Sequence, residues 1–297
     1  MPTLHSSQSR RFTQVDVFTA TPLLGNPLAV VHDAQGLSEA QMQAFARWTN
    51  LSETSFLLPP SDAAAAAGAN YRLRIFTPHR ELPFAGHPTL GSCHAWLAAG
   101  GVAQQRSAER ANEVVQECAV GLIRIRRDGE RLAFAAPLCR RSGPLDAELV
   151  TRIAGALALP LQSIVDHQWV DNGPGWCAIR LASAQAVQAL EPNWAALHGL
   201  YLGVVGAHPV GHDVQFEVRS LIGDGAGYED PVTGSLNAGL AQWLIGSGVA
   251  PTAYVAAQGA RLGRSGRVFI ERVGDDVGAD IWVGGHSVSC IAGRVTL

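Results

Sequence analysis

Two stretches of this chain resemble each other, and each contains a long run without charged side chains. Phe84–Val102 and Glu229–Val249 both begin with a turn of small residues that carries polar groups, continue as a helical segment and end at glycines. A shift of 147 positions superposes Trp96 on Trp243, and the same shift superposes the prolines of an earlier Gly-Asn-Pro and Asn-Gly-Pro. A helix that is apolar on all sides is buried, and roughly 12 residues are too few to cross a membrane. The sequence therefore predicts a duplicated domain with a buried helix in each half.

Short strands are predicted around both uncharged helices, because apolar and polar residues alternate there. The predicted strands are Phe12–Phe18, residues 28–31, a stretch entered from the turn at 51–53, Tyr71–Phe76, Glu113–Gln116, Leu122–Arg126, Leu132–Ala135, Ile164–Val170, Trp176–Leu181, Tyr201–Val205, Val214–Ser220, Arg267–Arg272, Asp280–Val283 and Val288–Val295. Further helices are predicted at Leu37–Trp48, Asp146–Ala158 and Ala184–Leu190, and loops at Asp62–Asn70 and Gly223–Pro231. The pattern indicates an α+β fold in which sheet wraps a central helix in each half. We expect two pseudo-symmetric domains, residues 1–128 and 129–297, and the last strand is a candidate to pack on the first.

Composition excludes several classes of protein. A chain of 297 residues with 47% hydrophobic and 16% charged residues is typical of a well-buried globular protein of one large or two medium domains. A formal charge of -3 argues against electrostatic binding of nucleic acid or of an anionic membrane. The first 18 residues lack the apolar core of a signal peptide and are expected to form a short disordered lead-in, so a cytoplasmic location is the default expectation.

The absence of lysine excludes more chemistry than any other compositional feature. All 22 basic residues are arginines, which removes a pyridoxal-phosphate Schiff base, a lysine nucleophile and the Walker A lysine. The five cysteines, Cys93, Cys118, Cys139, Cys177 and Cys290, form no C-x-x-C pair, and the sequence contains no H-E-x-x-H motif. We therefore expect structural thiols, no metal and no disulfide.

The starts of the two uncharged helices are the first candidate site. At Gly86-His87 and at Gly234-Ser235, unpaired backbone N–H groups and the positive end of the helix would meet a ligand. A carboxylate or a developing enolate oxygen suits such donors. The alternative is ordinary helix capping, with Ser235 as N-cap, Pro88 at the first helical position and His87 near the cap. The occurrence of two matched copies favours a functional role.

Three side chains near these turns could transfer protons. Asp230 lies four residues before Gly234 and could either cap that helix or act as an acid or base. His87 carries an imidazole that could shuttle a proton, or it could only form hydrogen bonds. Glu53 stands at a turn before an apolar strand, where partial desolvation would suit it to proton transfer, although an ordinary solvated glutamate is the alternative.

Taken together, four motifs resemble the PhzF-like family, which is named for a phenazine biosynthesis isomerase and is related to diaminopimelate epimerase. The motifs are Asp-Val-Phe-Thr with Gly-Asn-Pro-Leu-Ala-Val-Val (from Asp16), Asn-Leu-Ser-Glu-Thr-Ser-Phe (from Asn50), Arg-Ile-Phe-Thr-Pro with Glu-Leu-Pro-Phe-Ala-Gly-His-Pro-Thr-Leu-Gly (from Arg74), and Glu-Asp-Pro-Val-Thr-Gly-Ser-Leu (from Glu229). They occur in the family's order over nearly the whole chain. The resemblance implies two pseudo-symmetric halves, each a mixed sheet rolled around a central helix, with the active site in the cleft between them.

The resemblance also implies roles for individual residues. Glu53 corresponds to the family's proton-transferring acid/base, and His87 and Asp230 correspond to assisting residues. The backbone groups that hold a substrate carboxylate correspond to Gly86, His87, Gly234 and Ser235. The family uses no cofactor and is commonly dimeric. Its epimerase relatives carry a cysteine at each helix start, whereas this chain has His87 and Ser235 there. A two-thiol racemase is therefore not expected.

The resulting hypothesis is a cofactor-independent isomerase or epimerase that moves a proton between carbons of a small carboxylate-bearing substrate. We expect a homodimer whose partner is that small molecule, with no nucleic acid or membrane partner. One alternative is a non-catalytic small-molecule-binding protein that keeps the same cleft, because a fold does not fix a function. Another is a scaffold, which would need a large exposed apolar surface.

Overall fold

The computed structural model describes residues 8–103, 112–274 and 280–297, in which the chain forms seventeen strands and six α-helices. This is the α+β fold that the sequence predicts. Residues 1–7 of the expected lead-in lie outside the described residues. From Ser9 onward that expectation is wrong, because Ser9–Val17 is a strand. Within the described ranges, no helix is long and apolar enough to cross a membrane.

The first of two compact units, unit 1, takes its described residues from 8–23, 27–103, 112–134 and 286–297. Its elements are β1 (Ser9–Val17), β2 (Asn26–Val31, without its first residue), α1 (Glu39–Thr49), β3 (Glu53–Leu58), α2 (Asp62–Ala67), β4 (Tyr71–Phe76), β5 (Glu81–Leu82), α3 (Gly86–Ala98), β6 (Glu113–Cys118), β7 (Gly121–Asp128), β8 (Arg131–Ala135, without its last residue) and β17 (Ser287–Thr296). The late strand β17 pairs antiparallel with β1, from Ser9 opposite Thr296 to Val17 opposite Ser287.

The second compact unit, unit 2, takes its described residues from 24–26, 135–274 and 280–285. Its elements are α4 (Ala147–Ala156), β9 (Ile164–Trp169), β10 (Trp176–Leu181), α5 (Ala184–Gln188), β11 (Tyr201–Ala207), β12 (Phe216–Ile222), β13 (Tyr228–Asp230), α6 (Gly234–Gly246), β14 (Ala253–Gln258), β15 (Gly266–Val273) and β16 (Asp280–Gly285). An apolar cluster that includes Ile153, Ile179, Leu202 and Val204 fills its interior.

Both units repeat one pattern of strand pairing. In unit 1, β3 pairs parallel with β2 and antiparallel with β4, which itself pairs antiparallel with β5 and parallel with β6. In unit 2, β11 pairs parallel with β10 and antiparallel with β12, which pairs antiparallel with β13 and parallel with β14. Two antiparallel strands follow in each unit, which are β7 and β8 in unit 1 and β15 and β16 in unit 2. The pattern gives each unit a mixed sheet, with α3 or α6 inserted at the same place.

The two inserted helices are buried as their lack of charge predicts. Each has thirteen residues, and α3 contacts β1, β3, β4 and β17, whereas α6 contacts β10, β15 and β16. Their starts, Gly86 and Gly234, lie 148 positions apart, one more than the shift that superposes Trp96 on Trp243. Trp96 and Trp243 are therefore one position out of register within their helices, and Trp243 is buried whereas Trp96 is half-buried.

A spacing of 148 positions also relates two helix glycines, Gly91 and Gly239, that lie very close to neighbouring chain. A Cβ atom on Gly91 would lie 2.6 Å from Leu28 Cδ2, and one on Gly239 would lie 2.2 Å from the carbonyl oxygen of Val170. Real Cβ contacts are longer, so each helix can pack this closely only because a glycine faces the neighbouring chain. Both helices thus need a glycine at the same position, the sixth residue of the helix.

Several elements differ from the sequence expectations. Asp62–Ala67 is a helix and not a loop, because Ser61 Oγ accepts the Ala64 N–H at its start and Gly68 ends it with a φ of 98°. The segment Gly223–Pro231 is not entirely loop, because Tyr228–Asp230 pairs with β12. Strands β5 and β14 have no counterpart among the sequence predictions, and β14 is held by pairing with β12 and β15.

Candidate active site

Glu53 and His87 form a hydrogen-bonded pair within unit 1. Glu53 Oε2 lies 2.9 Å from His87 Nδ1, and the side chains are 17% and 4% exposed. The second ring nitrogen, His87 Nε2, is buried and has no hydrogen-bond partner among the described residues. When Nδ1–H donates to the carboxylate, Nε2 keeps its lone pair as an acceptor. A carboxylate and an imidazole held in this way are suited to proton transfer.

The local sequence fixes where Glu53 lies. Asn50 closes α1 with a φ of 53°, a left-handed conformation that asparagine tolerates better than most residues. The chain then turns, and β3 begins at Glu53, which is opposite Leu28 of β2. A hydrogen bond of 2.8 Å joins the Thr49 and Thr54 hydroxyls across this turn. The carboxylate is thereby held at the end of a strand that is paired on both sides, which limits its movement.

The start of α3 offers two backbone donors. Gly86 is the first residue of the helix, and the N-cap, Ala85, makes no side-chain capping bond. Pro88 is the third residue of the helix, so the prediction that the helix begins at Pro88 is wrong. His87 is accordingly inside the first turn and is not the cap. Because a first-turn N–H has no partner within the helix, the N–H groups of Gly86 and His87 are available to a ligand, while Pro88 has none to offer.

The start of α6 in unit 2 has the same arrangement. Gly234 is the first residue and Thr233 the N-cap, without a side-chain capping bond, so the alternative in which Ser235 caps the helix is wrong. Ser235 is instead held by two unit 2 side chains: Trp176 Nε1 donates to Ser235 Oγ at 3.0 Å, and Asn172 Nδ2 donates to the Ser235 carbonyl oxygen at 2.8 Å. These contacts fix the backbone at the helix start, where the N–H groups would bind an anion.

Asp230 is buried at the end of β13 and accepts hydrogen bonds on both carboxylate oxygens. Asn26 Nδ2 donates to Oδ1 at 3.1 Å, and the Thr233 hydroxyl donates to Oδ2 at 2.5 Å. Asn26 belongs to unit 2, together with its neighbours at 24 and 25. The carboxylate is thus oriented beside the start of α6 by a residue that lies 204 positions away in the sequence.

Gln258 connects Asp230 to the first turn of α6. Its Nε2 donates to the Asp230 carbonyl oxygen and to Thr233 Oγ1, at 3.1 and 3.0 Å. Its Oε1 accepts from Thr233 N and Asn237 Nδ2, at 3.1 and 2.9 Å. The amide therefore makes four hydrogen bonds, which is its full capacity. Together with the Thr233 hydroxyl, this side chain fixes Asp230 relative to the helix.

Replacing Gln258 by leucine is expected to destabilise the protein. The change leaves buried donors on Thr233 and Asn237 without their acceptor, and each unsatisfied buried group costs about 1–3 kcal/mol. We expect a loss of about 3 kcal/mol or more in the free energy of unfolding, measured by urea denaturation. The matched control is Gln185→Leu on the exposed face of α5, which should change stability little. Equal stability of the two variants would contradict the role assigned to Gln258.

The expected site residues form two groups. Glu53, Gly86 and His87 lie together in unit 1, and Asp230, Gly234 and Ser235 lie together in unit 2. Sequence reasoning missed the side chains that hold these groups, which are Asn26, Asn172, Trp176, Thr233 and Gln258. Asn26 could have been found, because it is the asparagine of the Gly-Asn-Pro motif. Gln258 carried no sequence signal, since it ends a strand that was not predicted.

Cys93 and Cys177 are buried thiols, and neither is a helix-start residue. Cys93 is buried inside α3, and burial raises the pKa of its thiol to about 12. Burial likewise raises the pKa of Cys177 on β10 to about 12. Thiols with such pKa values are protonated at neutral pH and are poor nucleophiles or bases. Within the part of the chain that the structure describes, no three His, Cys, Asp or Glu side chains are grouped to hold a metal ion.

Comparison with known proteins identifies relatives along almost the entire chain. The PhzC-PhzF family, described as phenazine biosynthesis-like protein, matches residues 15–293. Antisense-enhancing sequence 1 of Schizosaccharomyces pombe is 34% identical over 95% of this chain and 97% of its own length. Trans-2,3-dihydro-3-hydroxyanthranilate isomerase of Pseudomonas aeruginosa is 32% identical over 97% of this chain and 99% of its own.

The fold is also that of a solved relative. The crystal structure of a PhzF-family phenazine biosynthesis protein from Enterococcus faecalis superposes with a TM-score of 0.77 at 26% identity, covering 98% of this chain and 100% of that one. Sequence and structure thus agree over the same extent of chain. The chain therefore belongs to the PhzC-PhzF family of phenazine biosynthesis-like proteins, and its role is that of an isomerase or epimerase.

Proposed function

We propose that this protein is a cofactor-independent isomerase or epimerase that moves a proton between carbons of a small carboxylate-bearing substrate by general acid/base catalysis. The observation that carries the proposal is the Glu53–His87 pair, with its 2.9 Å hydrogen bond and the unpartnered Nε2 of His87. His87 lies in the first turn of a buried helix, where a ligand would find backbone donors, and the Glu53 carboxylate contacts it there.

In the proposed reaction, Glu53 takes a proton from a carbon next to an electron-withdrawing group of the substrate. The electron pair left on that carbon moves into the adjacent group, and backbone N–H donors at the helix starts stabilise the resulting oxyanion. Glu53 then returns the proton to another carbon, or to the opposite face of the same one. The proton that is removed is returned, and no electrons leave the substrate. The reaction therefore needs no redox partner. This is consistent with a chain that contains no lysine for a Schiff base.

The supporting residues have separate roles. His87 holds the Glu53 carboxylate in place through Nδ1 and can pass a proton through Nε2. Gly86, His87, Gly234 and Ser235 bind the substrate carboxylate through their N–H groups. Asp230 assists as a second acid/base, oriented by Asn26 and Thr233. A homodimer and a cytoplasmic location remain predictions.

Solvent exchange tests this proposal directly. The protein is incubated in D₂O with a panel of small carboxylic acids, headed by trans-2,3-dihydro-3-hydroxyanthranilate because the Pseudomonas aeruginosa relative is named for it. We expect deuterium to enter a carbon position of at least one acid, detected by ¹H NMR and mass spectrometry, with no incorporation when the protein is omitted. Saturable binding of an acid without exchange would instead identify a non-catalytic binding protein.

A further inference from the structure

The first turn of α3 is held by a buried hydrogen-bond network that begins on the sheet of unit 1. Gln116 Nε2 on β6 donates to Thr89 Oγ1 at 3.1 Å, and Thr89 Oγ1 donates to the Ala85 carbonyl oxygen at 2.9 Å. Gln116 Oε1 accepts a hydrogen bond of 3.1 Å from the hydroxyl of Tyr71, the residue opposite it on β4. The side chains of Tyr71, Gln116 and Thr89 are at most 2% exposed. The network therefore joins the sheet to the N-cap of α3 inside unit 1.

Each hydrogen bond in this network has one direction. A carbonyl oxygen can only accept, so the single hydroxyl proton of Thr89 goes to Ala85, and Thr89 Oγ1 accepts from the Gln116 amide. The amide oxygen of Gln116 therefore faces Tyr71, which must donate. Burial raises the pKa of Tyr71 well above its usual value, so the hydroxyl keeps the proton that this contact requires. The network thus favours a single arrangement of its three side chains.

This network fixes the direction of the Gly86 N–H. The Ala85 carbonyl and the Gly86 N–H belong to one planar peptide unit, so a carbonyl that is held in place also orients the N–H. The Ala85 carbonyl is held twice by Thr89, through its hydroxyl at 2.9 Å and through its backbone N–H at 3.2 Å. Hydrogen bonds weaken steeply when the donor is misaligned, so this orientation affects how well the N–H binds an anion.

The start of α6 has the same linkage with different residues. Asn237 is the fourth residue of its helix, as Thr89 is of α3, and its Nδ2 donates to the Thr233 carbonyl oxygen at 2.9 Å. Gln258 of β14 hydrogen-bonds that Asn237 amide at 2.9 Å. The Thr233 carbonyl shares its peptide unit with the Gly234 N–H. A hydroxyl in one unit and an amide in the other thus hold the peptide that precedes a candidate anion donor.

We propose that Gln116 and Thr89 are positioning residues, which orient the Gly86 N–H for binding the substrate carboxylate. They act through the peptide unit between Ala85 and Gly86 and do not transfer protons. The proposal rests on the proposed function, in which the Gly86 N–H is one of the carboxylate donors. Binding sites depend on such supporting hydrogen bonds to hold their donors in the productive geometry.

Thr89→Val tests the proposal, because valine has nearly the shape of threonine and lacks the hydroxyl. Sodium acetate is titrated into the ¹⁵N-labelled protein, and the shift of the Gly86 amide is followed by NMR. We expect the acetate Kd to rise about tenfold, as for the loss of one hydrogen bond to a charged group. Thr89→Ser keeps the hydroxyl and should bind acetate like the unmodified protein. No saturable shift at Gly86 in the unmodified protein, or equal Kd values for both variants, would overturn the proposal.

Two further variants separate positioning from a general loss of stability. Thr13 of β1 is buried in unit 1, and its hydroxyl lies 3.0 Å from His32 Nε2. Thr13→Val therefore removes a comparable hydrogen bond and should leave the acetate Kd unchanged. Gln116→Met removes the amide that holds Thr89 and should raise the Kd as Thr89→Val does. An equal rise in Thr13→Val would assign the effect to stability and would overturn the positioning role.

Kinetics distinguish this proposal from the proposed function. In the deuterium exchange assay, Thr89→Val should raise KM about tenfold and change kcat less, because the carboxylate is bound in the ground state and the transition state alike. A loss confined to kcat would overturn the positioning role. Absence of exchange in the unmodified protein would contradict the proposed reaction, and acetate binding, which needs no turnover, would still decide whether Thr89 and Gln116 position the Gly86 N–H.

Discussion

Glu53→Gln is expected to lower the rate of solvent deuterium exchange by about 10²–10⁴-fold, the usual contribution of a positioned acid/base. Glutamine has nearly the shape of glutamate and can still accept a hydrogen bond from His87 Nδ1, so the fold and substrate binding should persist. What the variant lacks is a group that can take a proton from carbon. The loss should therefore appear in kcat, with little change in KM, when exchange is followed by NMR at several substrate concentrations.

The control for this variant removes a carboxylate from the same unit without touching the pair. Glu39, the exposed first residue of α1, forms an ion pair with Arg74, and Glu39→Gln should exchange deuterium at the unmodified rate. Thermal unfolding of both variants shows whether the fold is intact. If Glu53→Gln keeps more than a tenth of the unmodified exchange rate, Glu53 is not the base, and His87 or Asp230 becomes the candidate.

Gly239→Ala is expected to be the most destabilising of the conservative substitutions considered for α6. The added Cβ would lie 2.2 Å from the Val170 carbonyl oxygen, which is backbone and cannot rotate away as a side chain could. Either the helix or the chain at Val170 must move. Overpacking of this kind costs about 1–3 kcal/mol and occasionally more, and we expect the upper end. Urea denaturation measures the free energy of unfolding directly.

The same helix provides the control for this substitution. Gly246 is the last residue of α6, and a Cβ placed there would have no atom within 4 Å. Gly246→Ala should therefore be neutral or should stabilise by up to about 1 kcal/mol, because alanine favours helix over glycine. Equal effects at both positions would show that helix propensity decides the outcome, and that the close approach at Val170 does not.

The sequence predicts the central elements of this fold because their composition leaves few alternatives. A thirteen-residue helix without charge must be buried, and α3 and α6 are. The elements that sequence reasoning missed depend on contacts that a local pattern does not contain. The helix α2 depends on a cap at Ser61 and a left-handed Gly68, and β14 forms because β12 and β15 pair with it. The helix start at Gly86 was misplaced because proline is tolerated throughout a first turn, where its missing N–H is not needed.

The candidate site likewise contains some residues that the local sequence identifies and others that only the fold brings into place. Glu53, His87 and Asp230 stand in short motifs that a resemblance can identify, and the direct contact of Glu53 with His87 brings together residues 34 positions apart. The side chains that orient them come from distant segments, such as Asn26 and Gln258 around Asp230. Hydrogen bonds over such separations are set by strand pairing, so they follow from the fold and not from any local pattern.

The pairing of β17 with β1 has a consequence for synthesis on the ribosome. β1 is made long before its partner, Ser287–Thr296, which emerges only after all of unit 2 has been translated. At about 5–20 residues per second, the unpaired edge of β1 waits on the order of tens of seconds for its neighbour. An open strand edge is a template for wrong pairing with other chains. The half of the molecule that is translated first is thus the half that is completed last, and the nascent chain needs protection over that interval.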